Sequence, residues 1–525
     1  YNPELPLIID PQIDFASYIG GSSTNQVNDE CGFGIAVSGS DIYIVGETDT
    51  TDFPGTSTLG TIYQDANGGV NENSTDAFIC KLSSTGTLVW SSYVGAAKDD
   101  DGKGVVVSVA TGNPIMVGTA GSGSLTSFTG GSSGKNIFVA EFSKDTGGLS
   151  WGVYLDVSGS QAAHDIDIDT AGNLYVAGQS DGDAYVAKLS STGTVTWEES
   201  IGGAGTDTAY GISVTPSGSR VAITGSTEFS NTTQFPIYGN APQSTYGDGS
   251  FDMFVAIYDG SSGGNPTMST YLGGTGSDYG RACDFDTTGD TLNIVGYSDS
   301  TTFAAVNTPF TSMGGSKDAL IAQYTYDSGS TDWTMDWSAF FGSSGNYDYG
   351  YDLVTDSSGD IFISGETSYS SSGTNIPASG FQSTAGNYYD GFVAKIASDG
   401  QSILWASYFG GNSSDEVRSI ALSGSSLFMT GYTLSSTFPS LSGSLSANRD
   451  AFFAKISSDG TSIDTVSRYL GGEHSNANYE SGSSVATDDA GNIYLAGETN
   501  TDDFLTTMGT TGTYTTYGGS KSDVF

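Results

Sequence analysis

Apolar and polar residues in this chain alternate in short runs bounded by Gly, Ser, Thr, Asn and Asp, the pattern of strands of about five to seven residues joined by tight turns. The runs also repeat. The block DAFICKL at 76–82 returns as NIFVAEF at 136–142 and DAYVAKL at 183–189; further copies start at Asp252, Asp318, Asp390 and Asp450, and a fragment, DVF, occupies 523–525. An aromatic run follows each block, built around Trp90, Trp151, Trp197, Tyr271, Trp337, Trp405 or Tyr469, and SYIGG at 17–21 supplies an eighth. An acidic turn then leads into a strand such as GFGIAV at 32–37, a turn such as DTAGN at 169–173, and a closing run such as LYVAG at 174–178.

Four strands per unit are the content of one antiparallel propeller blade, so the pattern predicts an all-β closed β-propeller. Seven complete units start at the aspartate block, while the sequence opens with strands two to four of a unit and ends with strand one. Pairing 523–525 with the opening strands between Ile13 and Gly46 makes an eighth, composite blade and removes an exposed sheet edge. Seven blades plus a stray one is the alternative, should the parent polypeptide continue. Residues 13–525 then form one propeller, and 1–12 read as a junction from a preceding domain of a longer protein. The variable inserts, such as 49–75, 226–251 and 366–389, carry an apolar residue before Pro (Phe53, Phe235, Ile376, and Phe438 in a further insert), which predicts ordered loops pinned by one side chain.

Charge narrows the partners. With 59 acidic against 15 basic residues the formal net charge is -44, which argues against nucleic acid and anionic membranes. No run of about 18 apolar residues exists to cross a membrane as a helix, and no leader opens the sequence, so any secretion signal is expected outside it. Three cysteines make no disulfide framework. Cys80 stands where other copies have Ala, and Cys283 stands where they have Ile35, Val105 and Leu353, so both read as packing residues; the role of Cys31 is left open.

The blocks DAF-x-AKL, W-x-SY-x-GG and IAV-D-x-x-GN-x-YV-x-GET, recurring in every unit, resemble the SBBP family of bacterial β-propeller repeats. The resemblance implies a secreted or surface-anchored module, extracellular or on the outer cell surface, belonging to a larger protein. It implies no shared catalytic residues, and export by type IX secretion is a further, weaker implication.

The acidic turns (Asp29-Glu30, Asp99-Asp100-Asp101, Asp165, Asp207, Asp278, Asp348, Asp415-Glu416) fall at one end of every blade and predict a negative ring near one mouth of the channel. Such oxygens suit Ca²⁺, though an Asp before Gly also caps its own turn. The metal candidates are Asp99, Asp100 and Asp101, and Asp165, Asp167 and Asp169, the last three placed on one strand face by period-two alternation. No other cofactor is called for. Trp90, Trp151, Trp197, Trp337 and Trp405 hold a fixed repeat position, which points to packing between blades rather than to sugar stacking. Tyr347, Tyr349, Tyr388 and Tyr389 lie in Tyr-rich loops and are the candidate ligand-binding residues. His164 and His474 sit in different units without a nucleophile motif, and the sialidase box S-x-D-x-G-x-x-W is not repeated. The expected function is a non-enzymatic surface module contacting protein or glycan, or spacing other domains. A hydrolase or lyase at the channel mouth and a purely structural passenger domain are the alternatives.

Overall fold

The computed structural model describes residues 14–21, 30–53, 62–66, 68, 74–121, 125–130, 134–155, 159–301, 306–310, 313–343, 347–368, 376, 379–386, 388–438, 441–443, 445, 448–464, 467–472, 479–488, 490–501, 504 and 522–525. Asp29, His474 and the 1–12 junction fall outside them. Eight antiparallel sheets form, seven of four strands and one of three. The first runs outward in chain order through β1 (Cys31–Ser38), β2 (Asp41–Thr48), β3 (Asp76–Ser83) and β4 (Leu88–Val94). The innermost strands of the blades are β1, β5 (Asp101–Val107), β9 (Gln161–Ile168), β13 (Asp207–Val214), β17 (Asp278–Phe285), β21 (Asp348–Thr355), β25 (Asp415–Ser423) and β29 (Ser481–Thr487). Each touches its two neighbours, β29 meeting β1, so the ring is closed around a channel.

Closure joins the two ends of the sequence. The eighth sheet pairs β29 with β30 (Ile493–Thr499) and β30 with β31 (Asp523–Val524). Ile19 then bridges Val524, its N–H donating to the Val524 carbonyl at 2.8 Å, and completes the outer edge. The composite blade is as the sequence indicates, with one correction: 32–46 lie in the first blade, not in the composite one. The sequence unit is two strands out of phase with the sheet, because its third and fourth strands are the inner pair of the following blade. The variable inserts therefore link the second and third strands within a blade. They share one face of the ring with the crossings between blades, while the tight turns occupy the other.

Two devices hold the blades together. Five outer-strand tryptophans each lie over a left-handed glycine in the next blade's turn: a Cβ on Gly147 (φ 73°) would come 2.7 Å from the Trp90 ring. Trp151 covers Gly193, Trp197 covers Gly263, Trp337 covers Gly400 and Trp405 covers Gly460 in the same way. The indole N–H of Trp90 donates to the Lys144 carbonyl at 3.0 Å and that of Trp405 to Ser458 at 3.0 Å, so interblade packing accounts for these residues. Phe15 takes the position in the composite blade, over Gly86. The inserts are pinned as expected: Phe53 packs on Phe78 (4.7 Å between ring centres), Phe235 on Phe254 (4.6 Å) and Phe438 on Phe409 (4.4 Å), and Ile376 is buried. Each anchor withdraws a side chain worth about 1.5–3 kcal/mol from water. Cys80 is fully buried and Cys283 packs at a core edge; Cys31 donates to Glu498 Oε2 at 3.0 Å across the junction of the last and first blades.

Candidate functional site: the channel mouth on the insert face

In all eight innermost strands the register slips at the third or fourth residue, leaving one residue unpaired as a β-bulge. The bulged residues are Phe33, Lys103, His164, Tyr210, Arg281, Tyr351, Arg418 and Ser483. A glycine of the second strand makes the bulge possible: a Cβ on Gly46 would collide with the Cys31 carbonyl, and one on Gly225 with that of Thr208. Bulges re-aim side chains. Here one backbone device, repeated eight times near the insert face, carries eight mostly dissimilar side chains on strands that line the channel.

Two further repeat positions join this ring, the residue after the second-strand glycine and the residue before the aspartate block. Together they build an aromatic and cationic arc from the third blade to the eighth. His164 meets Tyr210 edge-on at 5.2 Å. The Arg281 guanidinium lies 5.2 Å from the Tyr210 ring and 5.3 Å from Tyr297, and its Nη2 donates to the Tyr297 hydroxyl at 3.2 Å. Tyr297 also contacts Tyr279 at 5.0 Å and Tyr349 at 4.8 Å, and Lys317 Nζ sits 5.2 and 5.5 Å from the Tyr297 and Tyr349 rings. Tyr351 runs parallel to Tyr349 and donates to Glu366 Oε1 at 2.9 Å. Arg418 donates to Glu416 Oε1 at 2.6 Å and to Ser481 Oγ at 2.8 Å, and lies 5.3 Å from the Tyr432 ring. Arg449 is held between Tyr432 at 3.7 Å and Tyr479 at 3.9 Å. Burial, then the charges of Lys103 and Arg281, lowers the His164 imidazole to about 4, so it is neutral at pH 7. Burial, then Glu416, raises Glu366 to about 7.

Deeper in the channel the lining turns acidic. Asp165 accepts from the Ile212 N–H at 3.1 Å, Asp167 from Val214 at 2.8 Å, Asp284 from Thr355 at 3.1 Å and Asp352 from Ile420 at 2.9 Å, each clipping its strand to the next blade. Enclosure raises Asp165 to about 7 and Asp167, Asp284 and Asp352 to about 6.

Most of the acidic turns close a junction between blades with one buried carboxylate. Asp278 accepts from the Gly274 N–H at 3.0 Å and from Ser300 Oγ at 2.7 Å; Asp415 accepts from Gly411 at 2.8 Å and from Ser435 at 2.7 Å. Each faces the aspartate that opens the preceding blade's third strand, so that Asp252 and Asp278 flank Gly273, and Asp318 and Asp348 flank Gly342. A negative collar does encircle this face, but it is hidden between blades rather than open to the mouth. Its residues at the described positions include Glu30, Asp100, Asp207, Asp348 and Glu480, all fully buried.

The sequence candidates separate. Asp99 is exposed; Asp100 is buried, accepting from the Ala96 and Gly121 N–H groups; Asp101 accepts from Thr119 and meets Lys103 at 3.5 Å. Asp165 and Asp167 lie in the channel, whereas Asp169 caps the opposite turn through Ala171 and Asn173. Among the described residues no three His, Cys, Asp or Glu side chains are grouped to hold a metal ion. Tyr347 and Tyr349 stand in the arc, 6.4 Å apart and nearly parallel. Tyr389 starts its strand beside them and Tyr388 is 60% exposed. The bulge ring was missed by the sequence reading, although small-X-small triplets such as GFG, GKG, AYG and GRA mark it once the repeats are aligned. Two clefts lie elsewhere, one of about 800 Å³ beside Trp337 and Gln401 and one of about 520 Å³ beside Tyr63 and Gln64.

Residues 467–504 match the SBBP beta-propeller repeat. No curated protein sequence matches the chain. Among solved structures, a europium-containing methanol dehydrogenase aligns over 96% of this chain and 92% of its own at 11% identity and a TM-score of 0.46. Puromycin hydrolase aligns over 93% of this chain and 62% of its own at 9% identity (TM-score 0.40), and Sqt1 of Saccharomyces cerevisiae over 97% and 99% at 8% (TM-score 0.38). Likeness at this level carries no argument about activity.

Proposed function

We propose that this SBBP-repeat propeller is a non-enzymatic ligand-presenting module of a larger secreted or surface-anchored bacterial protein, and that it binds protein or glycan through the insert-face mouth. The observation behind this reading is the bulge ring. A frame repeated eight times keeps its second-strand glycine in every blade and its outer-strand tryptophan in five, yet varies one channel-lining position from Phe to Lys, His, Tyr, Arg and Ser. Positions that vary on a rigid scaffold are where recognition residues concentrate. Tyr and Arg, enriched here, bring large contact area with few rotamers to freeze.

The test is capture of cell-surface glycans and proteins by the immobilised propeller, compared with a variant in which Phe33, Tyr210 and Tyr351 are replaced by Ser, the residue of the eighth blade. Loss of capture with an unchanged melting temperature supports the reading. Capture that survives these changes but is lost when 226–251 and 366–389 are shortened moves the site to the inserts, and no capture at all leaves a spacer. The hydrolase or lyase alternative rests on one observation, a neutral His164 and a Glu366 near pH 7 in the same mouth. Turnover of a glycan or ester panel, abolished by His164→Ala, would replace the binding reading with it.

A further inference from the structure

Three repeat positions meet at the mouth in every blade: the bulge, the residue after the second-strand glycine, and the residue before the aspartate block. In the fifth blade they hold Arg281, Tyr297 and Lys317; in the seventh they hold Arg418, Tyr432 and Arg449. Both sets are a tyrosine ring flanked by two cations, at 5.3 and 5.2 Å in one and 5.3 and 3.7 Å in the other. The second blade has lysines at the outer two positions with Thr119 between them, and the remaining blades have no such set. The blade between the two clamps presents Tyr351 and Glu366, with Tyr349 beside them.

Three of the four clamp cations are unusual in their charge pairing; the fourth, Arg418, meets Glu416 at 2.6 Å. Acidic residues outnumber basic ones 59 to 15, yet among the described residues Arg281, Lys317 and Arg449 form no ion pair with a carboxylate. Among the described residues, Arg281 Nε and Arg449 Nε and Nη2 are enclosed without a hydrogen-bond acceptor. A guanidinium N–H enclosed without an acceptor is destabilising, so the fold maintains these groups at a standing cost. An oxyanion would supply the counter-charge that these guanidinium groups lack, with the tyrosines holding each group flat for it.

We propose that the mouth over the fifth to seventh blades binds a short acidic oligosaccharide, its carboxylate or sulfate groups held by the two clamps and a sugar ring lying against the tyrosines between them. The net charge of -44 favours a short ligand, because a long polyanion is repelled by the rest of the surface while a few anionic groups are drawn to a local cationic mouth. Tyrosine hydroxyls and Glu366 suit a polyhydroxylated body better than an apolar one.

The inference rests on the ligand-binding reading above and deepens it. Its test is titration calorimetry on the full chain, at low salt and at 0.5 M NaCl, with trigalacturonate, a sulfated trisaccharide, neutral galactotriose and a glutamate-rich hexapeptide as probes. We expect a salt-sensitive heat with one or both acidic sugars, their difference naming the anion, and none with galactotriose. Arg281→Gln and Arg449→Gln should each weaken binding about tenfold, the pair more than either, and Arg→Lys should restore part of the loss. Melting temperatures measured alongside separate loss of contact from loss of fold. Equal affinity for the double variant, equal affinity for the neutral sugar, stronger binding of the peptide, or no acidic sugar bound would each overturn the inference. If surface capture through Phe33, Tyr210 and Tyr351 persists in those cases, only the ligand class is wrong; if capture is absent too, the binding reading fails with it.

Discussion

On the face of tight turns, Lys81 meets Asp41 at 2.6 Å and Lys395 meets Asp356 at 2.8 Å and Asp360 at 3.0 Å. On the insert face, Arg281, Lys317 and Arg449 lie against tyrosines with no carboxylate paired to them among the described residues. The same chain therefore pairs these cations on the turn side and leaves three unpaired at the mouth, where Arg418 and Lys103 do meet Glu416 and Asp101. The turn side is also the stitched side, where tryptophans cover left-handed glycines from blade to blade. Structure is maintained there by repetition; at the mouth the repeat supplies a backbone bulge and the sequence varies what it carries.

The sharpest way to break this contrast is to remove a stitch. Trp337 is 1% exposed, and its indole N–H donates to the Ser398 carbonyl at 3.1 Å and to Gln323 at 3.0 Å. Trp337→Ala should cost about 3–5 kcal/mol in urea unfolding. Tyr351→Ser at the mouth removes one hydrogen bond and one ring from a half-buried site and should cost about 1 kcal/mol or less. Similar losses for the two would mean that the mouth is structural after all.

The next effect concerns the hidden collar. Burial raises Asp76 and Asp100 to about 7, Asp252 to about 8, Asp278 and Asp318 to about 6, Asp348, Asp390 and Asp415 to about 7, and Glu480 to about 8. Folded-state values above the ordinary carboxylate range mean that the folded chain binds protons the unfolded chain releases. This stabilisation is complete below about pH 4 and fades as pH rises through about 6–8. Urea midpoints should therefore fall from pH 5 to pH 8, the reverse of ordinary acid denaturation. One junction shows the remedy, since Asn136 and Gln161 stand where the others have two acids, and Gln161 Oε1 accepts from the Ile137 N–H at 3.1 Å. Neutralising another junction likewise, with Asp252→Asn and Asp278→Asn, should raise the midpoint at pH 8 and flatten the pH dependence; an unchanged slope would place the titrating groups elsewhere.

Much of the frame was legible because each repeat writes the same physics: strand alternation, glycine at the turn, tryptophan at one position. Ring closure and the pinned inserts followed from counting those signals. The phase of the blade was not legible, since hydrogen bonding between 17–21 and the far end of the sequence decides which strands share a sheet. The site was half legible. Tyr347 and Tyr349 were visible as a Tyr-rich loop, but their partners Arg281, Lys317 and Arg449 are scattered through the sequence and converge only when the ring closes. The acidic turns misled in the other direction: a run such as Asp99, Asp100 and Asp101 looks like one ligand set, but strand geometry sends its three carboxylates to solvent, to a junction and to a lysine.

That divergence sets the smallest expected effect. A Ca²⁺ site needs six to eight oxygens converging within about 2.3–2.6 Å of the ion. Asp165 and Asp167 are committed to backbone N–H groups of the next blade and Asp169 caps a turn on the opposite face, so neither they nor the Asp99 run converges. Millimolar Ca²⁺ and Mg²⁺ should then shift the melting temperature alike, by screening the acidic surface, and EDTA should shift it no further than either salt's removal does. A Ca²⁺-specific rise would relocate the ion to the paired acids of the collar, where the Asp252 and Asp278 Oδ1 atoms are enclosed without partners, and would mean that a cation rather than a proton neutralises those junctions. The double Asn variant separates the two, because it would abolish a metal-dependent rise at that junction while leaving the pH slope of the other junctions in place.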